Sequence, residues 1–375
     1  MSQSPRVSAV ALYGVGPDSE RITWSAQLGP MYEAMIIAKL TLEDGTQAIA
    51  GATTYTEHQF DHTLLESAAL SAPFLLGREV ADCAAIYSDL MSRYVPLKHL
   101  SSSLYDIALH DARGKLAGLP IYQLLGAAQH SVRAYASSPL LPQISDYIDY
   151  CHAMLAQGYN AIKIHPPCTF DQDYALVEAL AEEFKGDTIG WSLDVDENYS
   201  FSEALKMGQL LEELGWDFFE APLPDMQLEA YAELRNRLSV DIVAGGNSIV
   251  NLHLFEHALN MGCWDRGRFD VTGIGGFTNG TKAMALCQAR GLKTEVQSWG
   301  YTLTQAANLH MMLSHANCEY FEQAAPFEKY EIGAKQVFRP DDSGQIHPSH
   351  LPGLGVELDW DQLQPFIYSE RHFKL

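Results

Sequence analysis

Three stretches near the middle of the chain decide the fold: AIKIHPP at residues 161–167, SLDVDENYS at residues 192–200 and FFEAPLPD at residues 218–225. Each contains a short apolar run that ends in polar residues, and helix-length segments separate one run from the next. The eight runs of this kind cover residues 132–136, 161–164, 189–193, 218–219, 241–244, 269–271, 294–296 and 320–321. Short strands that alternate with helical segments indicate βα units and a parallel sheet.

A polar residue stands at or just after the end of each of the last seven runs. These residues are separated by 29, 26, 27, 23, 27 and 25 positions, and they are His165, Asp194, Glu220, Asn247, Asp270, Gln297 and Glu322. A βα unit of a closed parallel barrel takes roughly 30 residues, because about 250 residues form eight units. The spacing therefore predicts an α/β fold of the (β/α)-barrel type, with an active site at the carboxyl ends of its strands.

The first 130 residues differ from the rest of the chain. Residues 34–42 and 47–50 read as two strands joined at Asp44-Gly45, a pair that favours tight hairpins. Helical patterning follows at residues 64–97 and 102–116, and it ends at Gly118 with Pro120 beyond it. We therefore predict an N-terminal α+β domain over residues 1–130 and a barrel over residues 131–335. Residues 336–375 are predicted to pack back on the first domain.

The composition excludes several classes of protein. The 375 residues include 24 basic and 47 acidic side chains, so the net charge is 24 − 47 = −23, unlike that of a nucleic-acid binder. No apolar stretch of about 18 residues is present to span a membrane, and the N-terminal residues show no signal-peptide pattern. The six cysteines occur singly, as is typical of reduced thiols. We expect a cytoplasmic enzyme that forms a homo-oligomer and binds neither nucleic acid nor membrane.

Three of the strand-end residues carry oxygen ligands on successive predicted strands. Asp194, Glu220 and Asn247 offer two carboxylates and an amide oxygen, which suit a hard cation such as Mg²⁺ rather than Zn²⁺. Asp196 lies two residues beyond Asp194 and is the alternative ligand if the strand continues. The competing interpretation is that the two acids cap helices, which acidic residues after strands commonly do. Their shared position at strand ends favours the metal site.

Proton chemistry is predicted one unit earlier, at Lys163-Ile164-His165. Alternate residues of a strand face the same way, so both side chains would point into the barrel mouth. A cation and an imidazole there could bind the carboxylate of a small molecule and remove a proton from it. We assign Lys163 to the substrate carboxylate and His165 to the base. The alternative is that Pro166-Pro167 hold His165 as a structural residue while Lys163 acts as the base.

The order of motifs along nearly the whole chain resembles the enolase superfamily, close to its mandelate racemase-like (mandelate racemase/muconate lactonizing enzyme) group. The matching segments are YDIALHDARGKLAGLPIYQLLGA (residues 105–127), AIKIHPP, SLDVDENYS, FFEAPLPD, VAGGNSI, FDVTGIGGFT, VQSWG and YFEQAAP. The resemblance implies a modified TIM barrel with a capping domain and one divalent cation per subunit. It also implies removal of the proton α to a carboxylate, with the enediolate stabilised by the metal. Glu322 then occupies the position of a protonated acid that hydrogen-bonds the substrate carboxylate.

This sequence departs from the family pattern at four positions. His165 replaces the second lysine of K-x-K, Asp196 replaces an asparagine near the metal, and Asn247 replaces the usual third acidic ligand. Gln297 replaces the histidine that normally pairs with Asp270. Glutamine cannot exchange a proton near neutral pH, so one face of the substrate lacks its usual acid or base. Transfer of a proton between opposite faces needs two such groups, whereas a syn-elimination can use one.

We therefore expect a Mg²⁺-dependent carbon–oxygen lyase that dehydrates a sugar acid, either an aldonate or an aldarate. A cycloisomerase or epimerase that uses the same enediolate is the second possibility. A third is a barrel that has lost catalysis and serves as a binding protein. Substrate specificity is assigned to Asp196 and to capping-domain loops at residues 24–32 and 53–58, with Trp24 and Tyr55 as contact residues.

Overall fold

The computed structural model describes residues 4–16, 23, 29, 31–56, 62–93 and 98–375. The strands are β1 Val7–Val15, β2 Tyr32–Leu42, β3 Gln47–Thr56, β4 Val132–Ser137, β5 Ala161–Ile164, β6 Gly190–Asp194, β7 Phe218–Glu220, β8 Asp241–Val243, β9 Arg266–Phe269, β10 Lys293–Val296, β11 Tyr320–Ala324, β12 Gln345–Ile346 and β13 Ile367–Lys374. The helices are α1 Thr63–Ser71, α2 Cys83–Arg93, α3 Lys98–Ala117, α4 Ile121–Leu124, α5 Ile144–Ala156, α6 Phe170–Glu183, α7 Phe201–Leu214, α8 Leu228–Arg237, α9 Leu252–Met261, α10 Val271–Ile274, α11 Gly276–Ala289, α12 Thr302–Ser314 and α13 Trp360–Leu363.

The N-terminal part is an antiparallel four-stranded sheet in the order β13-β1-β2-β3. The predicted hairpin between β2 and β3 is present. At its turn, Gly45 adopts a φ of 87°, a conformation in which a side chain would be strained. Helices α1, α2 and α3 follow this sheet, and the long α3 packs against β2 and β3. The helical pattern that we predicted over residues 64–97 is interrupted. Pro73 stands within a 3₁₀ turn after α1, and a proline in a helix interior removes a backbone hydrogen bond.

The second unit is a parallel barrel, as the sequence predicts. Strands β4 to β10 follow one another in chain order, and β11 pairs with β4 on the other side. An isolated bridge between Thr294 of β10 and Cys318, which lies just before β11, nearly closes the ring. The intervening crossovers carry helices α5 to α12, so the carboxyl ends of all eight strands open at one face. Apolar faces of these helices and of the strands form one continuous buried core.

One strand lies at a different position from the one that we predicted. We expected residues 269–271 to form it, but β9 spans Arg266–Phe269 and Val271 already begins α10. The reason is that β9 reads Arg-Gly-Arg-Phe, so its inward-facing residues are charged and no apolar run marks it. Inside the barrel below the mouth, Arg266 lies over the rings of Phe218 and Tyr320, at 5.0 and 5.9 Å from the ring centroids. The interior is therefore filled rather than open.

The end of the chain returns to the N-terminal sheet, where β13 pairs with β1 in antiparallel register from Ala9–Lys374 to Val15–Ile367. All six cysteines are buried and free. No helix among the described residues is long and apolar enough to cross a membrane.

Candidate active site

Lys163 lies at the centre of the barrel mouth, on β5, with no exposed surface. Its Nζ is 2.6 Å from Glu322 Oε1, 2.9 Å from Glu220 Oε2 and 3.2 Å from Asp194 Oδ2. Burial disfavours the ammonium form, but these carboxylates outweigh burial and raise the pKa of Lys163 above its ordinary value. Lys163 is therefore a fixed cation whose three N–H donors all face protein carboxylates.

A second buried cation, Arg268 on β9, shares two of these carboxylates. Its Nη2 is 2.7 Å from Glu220 Oε1 and 3.1 Å from Glu322 Oε2, and its Nε donates to the Gly245 carbonyl at 3.1 Å. Our sequence reasoning did not find Arg268. The signal was available, because Arg268-Phe269-Asp270 alternates in the same way as Lys163-Ile164-His165.

His165 lies at the edge of the cavity, two residues after Lys163 and just beyond the end of β5. Its Nδ1 is 2.7 Å from the carbonyl oxygen of Ser138, and its backbone N–H donates to Ser138 Oγ at 2.9 Å. Because a carbonyl only accepts, Nδ1 carries a hydrogen, and Nε2 is the atom that can gain or lose a proton. Nε2 is 3.0 Å from Asp194 Oδ2; because that carboxylate oxygen only accepts, Nε2 carries a hydrogen in this contact and can act as a base only when the contact is open. The edge of the imidazole faces Trp299, at 5.6 Å between ring centroids.

The two carboxylates of the predicted metal site are neighbours. Asp194 and Glu220 end β6 and β7 in register, and both are buried. Burial opposes ionisation of Asp194, but Lys163 and His165 outweigh it and hold the pKa of that carboxyl well below its usual range. Asn247 follows β8 and lines the same cavity, but its side chain is exposed.

The donor set fits a hard divalent cation. Among the described residues, no cluster of three His, Cys, Asp or Glu side chains is arranged to hold a metal. Two carboxylates and one amide oxygen on a shared cavity wall are nevertheless ligands that Mg²⁺ accepts, since it keeps several waters and needs only one or two carboxylates. Asp196 also lines the cavity, and its backbone N–H donates to Asp194 Oδ1 at 3.0 Å. Asp196 supports Asp194 and has a left-handed backbone with a φ of 48°.

The opposite side of the mouth carries no imidazole among the described lining residues. Asp270 caps α10: its Oδ1 accepts the Thr272 N–H at 2.7 Å and the Asn308 side-chain amide at 2.8 Å, and its Oδ2 accepts the Thr272 hydroxyl at 2.7 Å. Gln297 lines the cavity beside it, with its backbone N–H on the Phe269 carbonyl at 2.9 Å. Both predicted residues therefore lie at the site, and Asp270 also binds the backbone at the start of α10.

Glu322 does not have the protonation that the family resemblance implies. Burial favours its neutral form, but the ion pairs with Lys163 and Arg268 outweigh burial and lower the pKa of Glu322 to about 2. Its carboxyl group is therefore an anion and has no proton to donate to a substrate carboxylate. The close contacts with Lys163 first, and with Arg268 second, thus favour the ionised form over the protonated Glu322 that we expected.

A cavity of about 780 Å³ opens above these residues. Its capping-domain wall includes Met31, Thr53 and Leu64. Glu197, which sequence reasoning missed, also lines it. The carboxyl of Glu197 accepts the Asp225 N–H at 3.0 Å, and burial together with the charge of Asp225 raises its pKa to about 7. Of the predicted substrate contacts, Trp24 and the side chain of Tyr55 lie outside the described residues.

An eight-stranded barrel under an α+β sheet domain, with acids at successive strand ends, defines the enolase-type architecture. The family described as "Enolase C-terminal domain-like" matches residues 146–362, and the N-terminal domain of the mandelate racemase/muconate lactonizing enzyme family matches residues 26–126. The chain belongs to the mandelate racemase-like group of the enolase superfamily, as the motifs indicated.

Individual relatives agree with this assignment. A mandelate racemase/muconate lactonizing enzyme-type protein from Pseudovibrio sp. is 35% identical, with a TM-score of 0.97 and full coverage of both chains. D-galactarolactone cycloisomerase from Agrobacterium fabrum is 29% identical over 274 residues, or 70% of this chain and 72% of the relative. L-talarate dehydratase from Polaromonas sp. JS666, solved with Mg and L-glucarate, is 21% identical; its TM-score is 0.87 over 99% of this chain and 100% of that one, and it shows the shared fold.

Proposed function

We propose that this protein is a Mg²⁺-dependent lyase that removes the proton α to a carboxylate and dehydrates a sugar acid. The observation that carries the proposal is the one-sided placement of proton-transfer groups. His165 Nε2 adjoins the carboxylates that would hold the cation, whereas Gln297 occupies the opposite side. Elimination of water on one face of the substrate needs a single group of this kind, because the imidazolium formed by the first step can protonate the departing hydroxyl.

In this reading, each residue has a defined task. Asp194, Glu220 and Asn247 would hold a divalent cation, which would supply charge stabilisation for the substrate carboxylate as negative charge develops there. His165 Nε2 accepts the α-proton, while the Ser138 carbonyl keeps the ring oriented through Nδ1–H. The carbon–oxygen bond of the β-hydroxyl then breaks, and the proton on Nε2 leaves with that hydroxyl as water. The keto acid forms after the enol product rearranges.

The buried cation Lys163 stabilises the same negative charge from below. Its donors face Asp194, Glu220 and Glu322, so it reaches a substrate carboxylate only when one of these acids is engaged elsewhere. A cation on Asp194 and Glu220 would release such a donor. The neighbouring carboxylates raise the pKa of Lys163 and favour its ammonium form, which supports His165 rather than Lys163 as the base.

A cycloisomerase acting on a sugar-acid lactone is the second candidate, and the similarity to D-galactarolactone cycloisomerase favours it. The two reactions, and a binding protein without catalysis, are separated by one assay. The protein is incubated in D₂O with and without Mg²⁺ over a panel of aldonates, aldarates and their lactones. Dehydration gives a keto acid that has lost water, whereas cycloisomerisation gives an isomer without loss of water. If no acid exchanges its α-proton and none is converted, the chain is a binding protein and the proposal is wrong.

A further inference from the structure

Four buried side chains of the barrel mouth form a closed ring of alternating charge. They come from alternate strands, β5, β7, β9 and β11, and they are Lys163, Glu220, Arg268 and Glu322. Each glutamate uses one oxygen for the lysine and the other for the arginine, at 2.9 and 2.7 Å for Glu220 and at 2.6 and 3.1 Å for Glu322. Side chains from alternate strands form the interior layers of such barrels, so the ring is one complete layer.

With both glutamates ionised the ring has no net charge, because two cations then face two carboxylates. All four side chains are at most 2% exposed, and breaking a buried ion pair by removing one partner is strongly destabilising. Without Arg268, the carboxylates of Glu220 and Glu322 would share Lys163 with Asp194. The arginine therefore supplies charge that these acids need whenever no metal is bound.

The same arginine opposes a metal on Glu220. Its guanidinium is 2.7 Å from Glu220 Oε1, and a divalent cation on that carboxylate would be repelled across a few ångströms in a buried site, where charges are weakly screened. Removing Arg268 would leave Glu220 in place, because Lys163 still binds Oε2 and β7 is fixed between β6 and β8. Charge repulsion, rather than loss of orientation, should then decide the change in metal affinity.

We propose that Arg268 is the internal counter-ion of this site: it balances the buried charge of Glu220 and Glu322 when no metal is bound and weakens the binding of a divalent cation by competing for Glu220. The first part stands on the ring alone, and the second rests on the proposed function. Arg268 is thus a positioning residue, which touches metal ligands and not the reacting atoms.

The test compares metal binding in three variants by calorimetry with MgCl₂ and by thermal unfolding in EDTA or MgCl₂. Arg268→Met should melt at a lower temperature in EDTA, bind Mg²⁺ about tenfold more tightly than wild type and show a larger Mg²⁺-induced rise in Tm. Arg268→Lys keeps the charge and should restore an affinity within about threefold of wild type. Arg266→Met is the matched control, because Arg266 is a buried arginine of the same strand outside the ring. It should lower Tm without a comparable change in Mg²⁺ affinity.

Equal or weaker Mg²⁺ binding by Arg268→Met would overturn the competition. If Arg268→Met folds only in MgCl₂, that outcome supports it, because the metal then replaces the missing charge. If the wild-type protein binds no Mg²⁺, the proposed function fails. The role of Arg268 in the ring is then tested by thermal unfolding in EDTA alone. There, the Tm loss of Arg268→Met combined with Glu322→Gln should be smaller than the sum of the two single losses. If the Tm losses of the two single variants simply add in the double variant, the side chains do not act as one ring and this part of the proposal is wrong.

Discussion

The two sides of the barrel mouth differ in charge and in burial. On the β5–β7 side, Lys163, Asp194 and Glu220 are buried and joined by ion pairs. On the β8–β10 side, Asn247 is exposed, Gln297 is neutral, and Asp270 is bound by the first turn of α10 and by Asn308. Arg268 on β9 is charged as well, but it faces the acids Glu220 and Glu322, and the imidazole among the described lining residues lies on the β5–β7 side. The difference indicates a reaction that needs proton transfer at one face of the substrate only.

The largest expected effect concerns metal binding on the two sides. Asp194→Ala removes a buried carboxylate from the charged side and should largely abolish Mg²⁺ binding measured by calorimetry. Asn247→Ala removes only an exposed, neutral ligand, which leaves both carboxylates, so a smaller loss of about tenfold is expected. Asn247→Glu should bind at least as tightly as wild type, since it adds charge. Equal losses in Asp194→Ala and Asn247→Ala would erase the distinction between the two sides.

The next largest effect is on proton transfer. His165→Asn should reduce the rate of α-proton exchange by about 10²–10⁴-fold, the usual contribution of a general base. Binding of a substrate analogue should persist, because the cation ligands and Lys163 remain. Gln297→Asn, a shortening on the other side, serves as the matched control and should retain exchange. Exchange that survives in His165→Asn would show that another group is the base.

A smaller effect is expected at Glu322, which lies between the two sides. As an anion held by Lys163 and Arg268, it should lose function in Glu322→Gln about as much as in Glu322→Ala, since neither variant carries the charge. Breaking this buried pair should lower the free energy of unfolding by about 3 kcal/mol. Substantial activity retained in Glu322→Gln alone would restore the protonated acid that we rejected.

The pH dependence of unfolding gives a second readout of Glu322. Its pKa is about 2 in the folded protein and about 4.3 in an unfolded chain. The stabilisation by this carboxylate is therefore fully present above about pH 4.3 and is lost as the pH falls towards 2. Denaturant unfolding between these pH values should show a shallower loss of stability in Glu322→Gln than in wild type.

The comparison also explains what the sequence could and could not predict. Asp194 and Glu220 end their strands, and Glu322 follows the apolar pair Tyr320-Phe321 within β11, so a rule based on apolar runs and spacing finds all three. Arg268 lies inside a strand whose inward positions are charged. The same rule therefore misses this strand and predicts it at residues 269–271 instead. Lys163 and Arg268 together favour the ionised form of Glu322, and no local pattern around Glu322 shows that both cations contact it. Strands β1 and β13 pair although their paired residues are 352 to 365 positions apart (367 − 15 and 374 − 9), and no local pattern identifies which strand is the partner.

We expect acid and base chemistry to be available at one face of the substrate only. The direct measurement is deuterium incorporation by the wild-type protein in D₂O with Mg²⁺, followed by stereochemical analysis of the recovered substrate. We predict that His165 exchanges the α-proton with retention, so the recovered acid carries deuterium and contains no inverted epimer. Rapid formation of the epimer at a rate matching exchange would contradict the account, because it requires a second proton-transfer group on the side of Gln297.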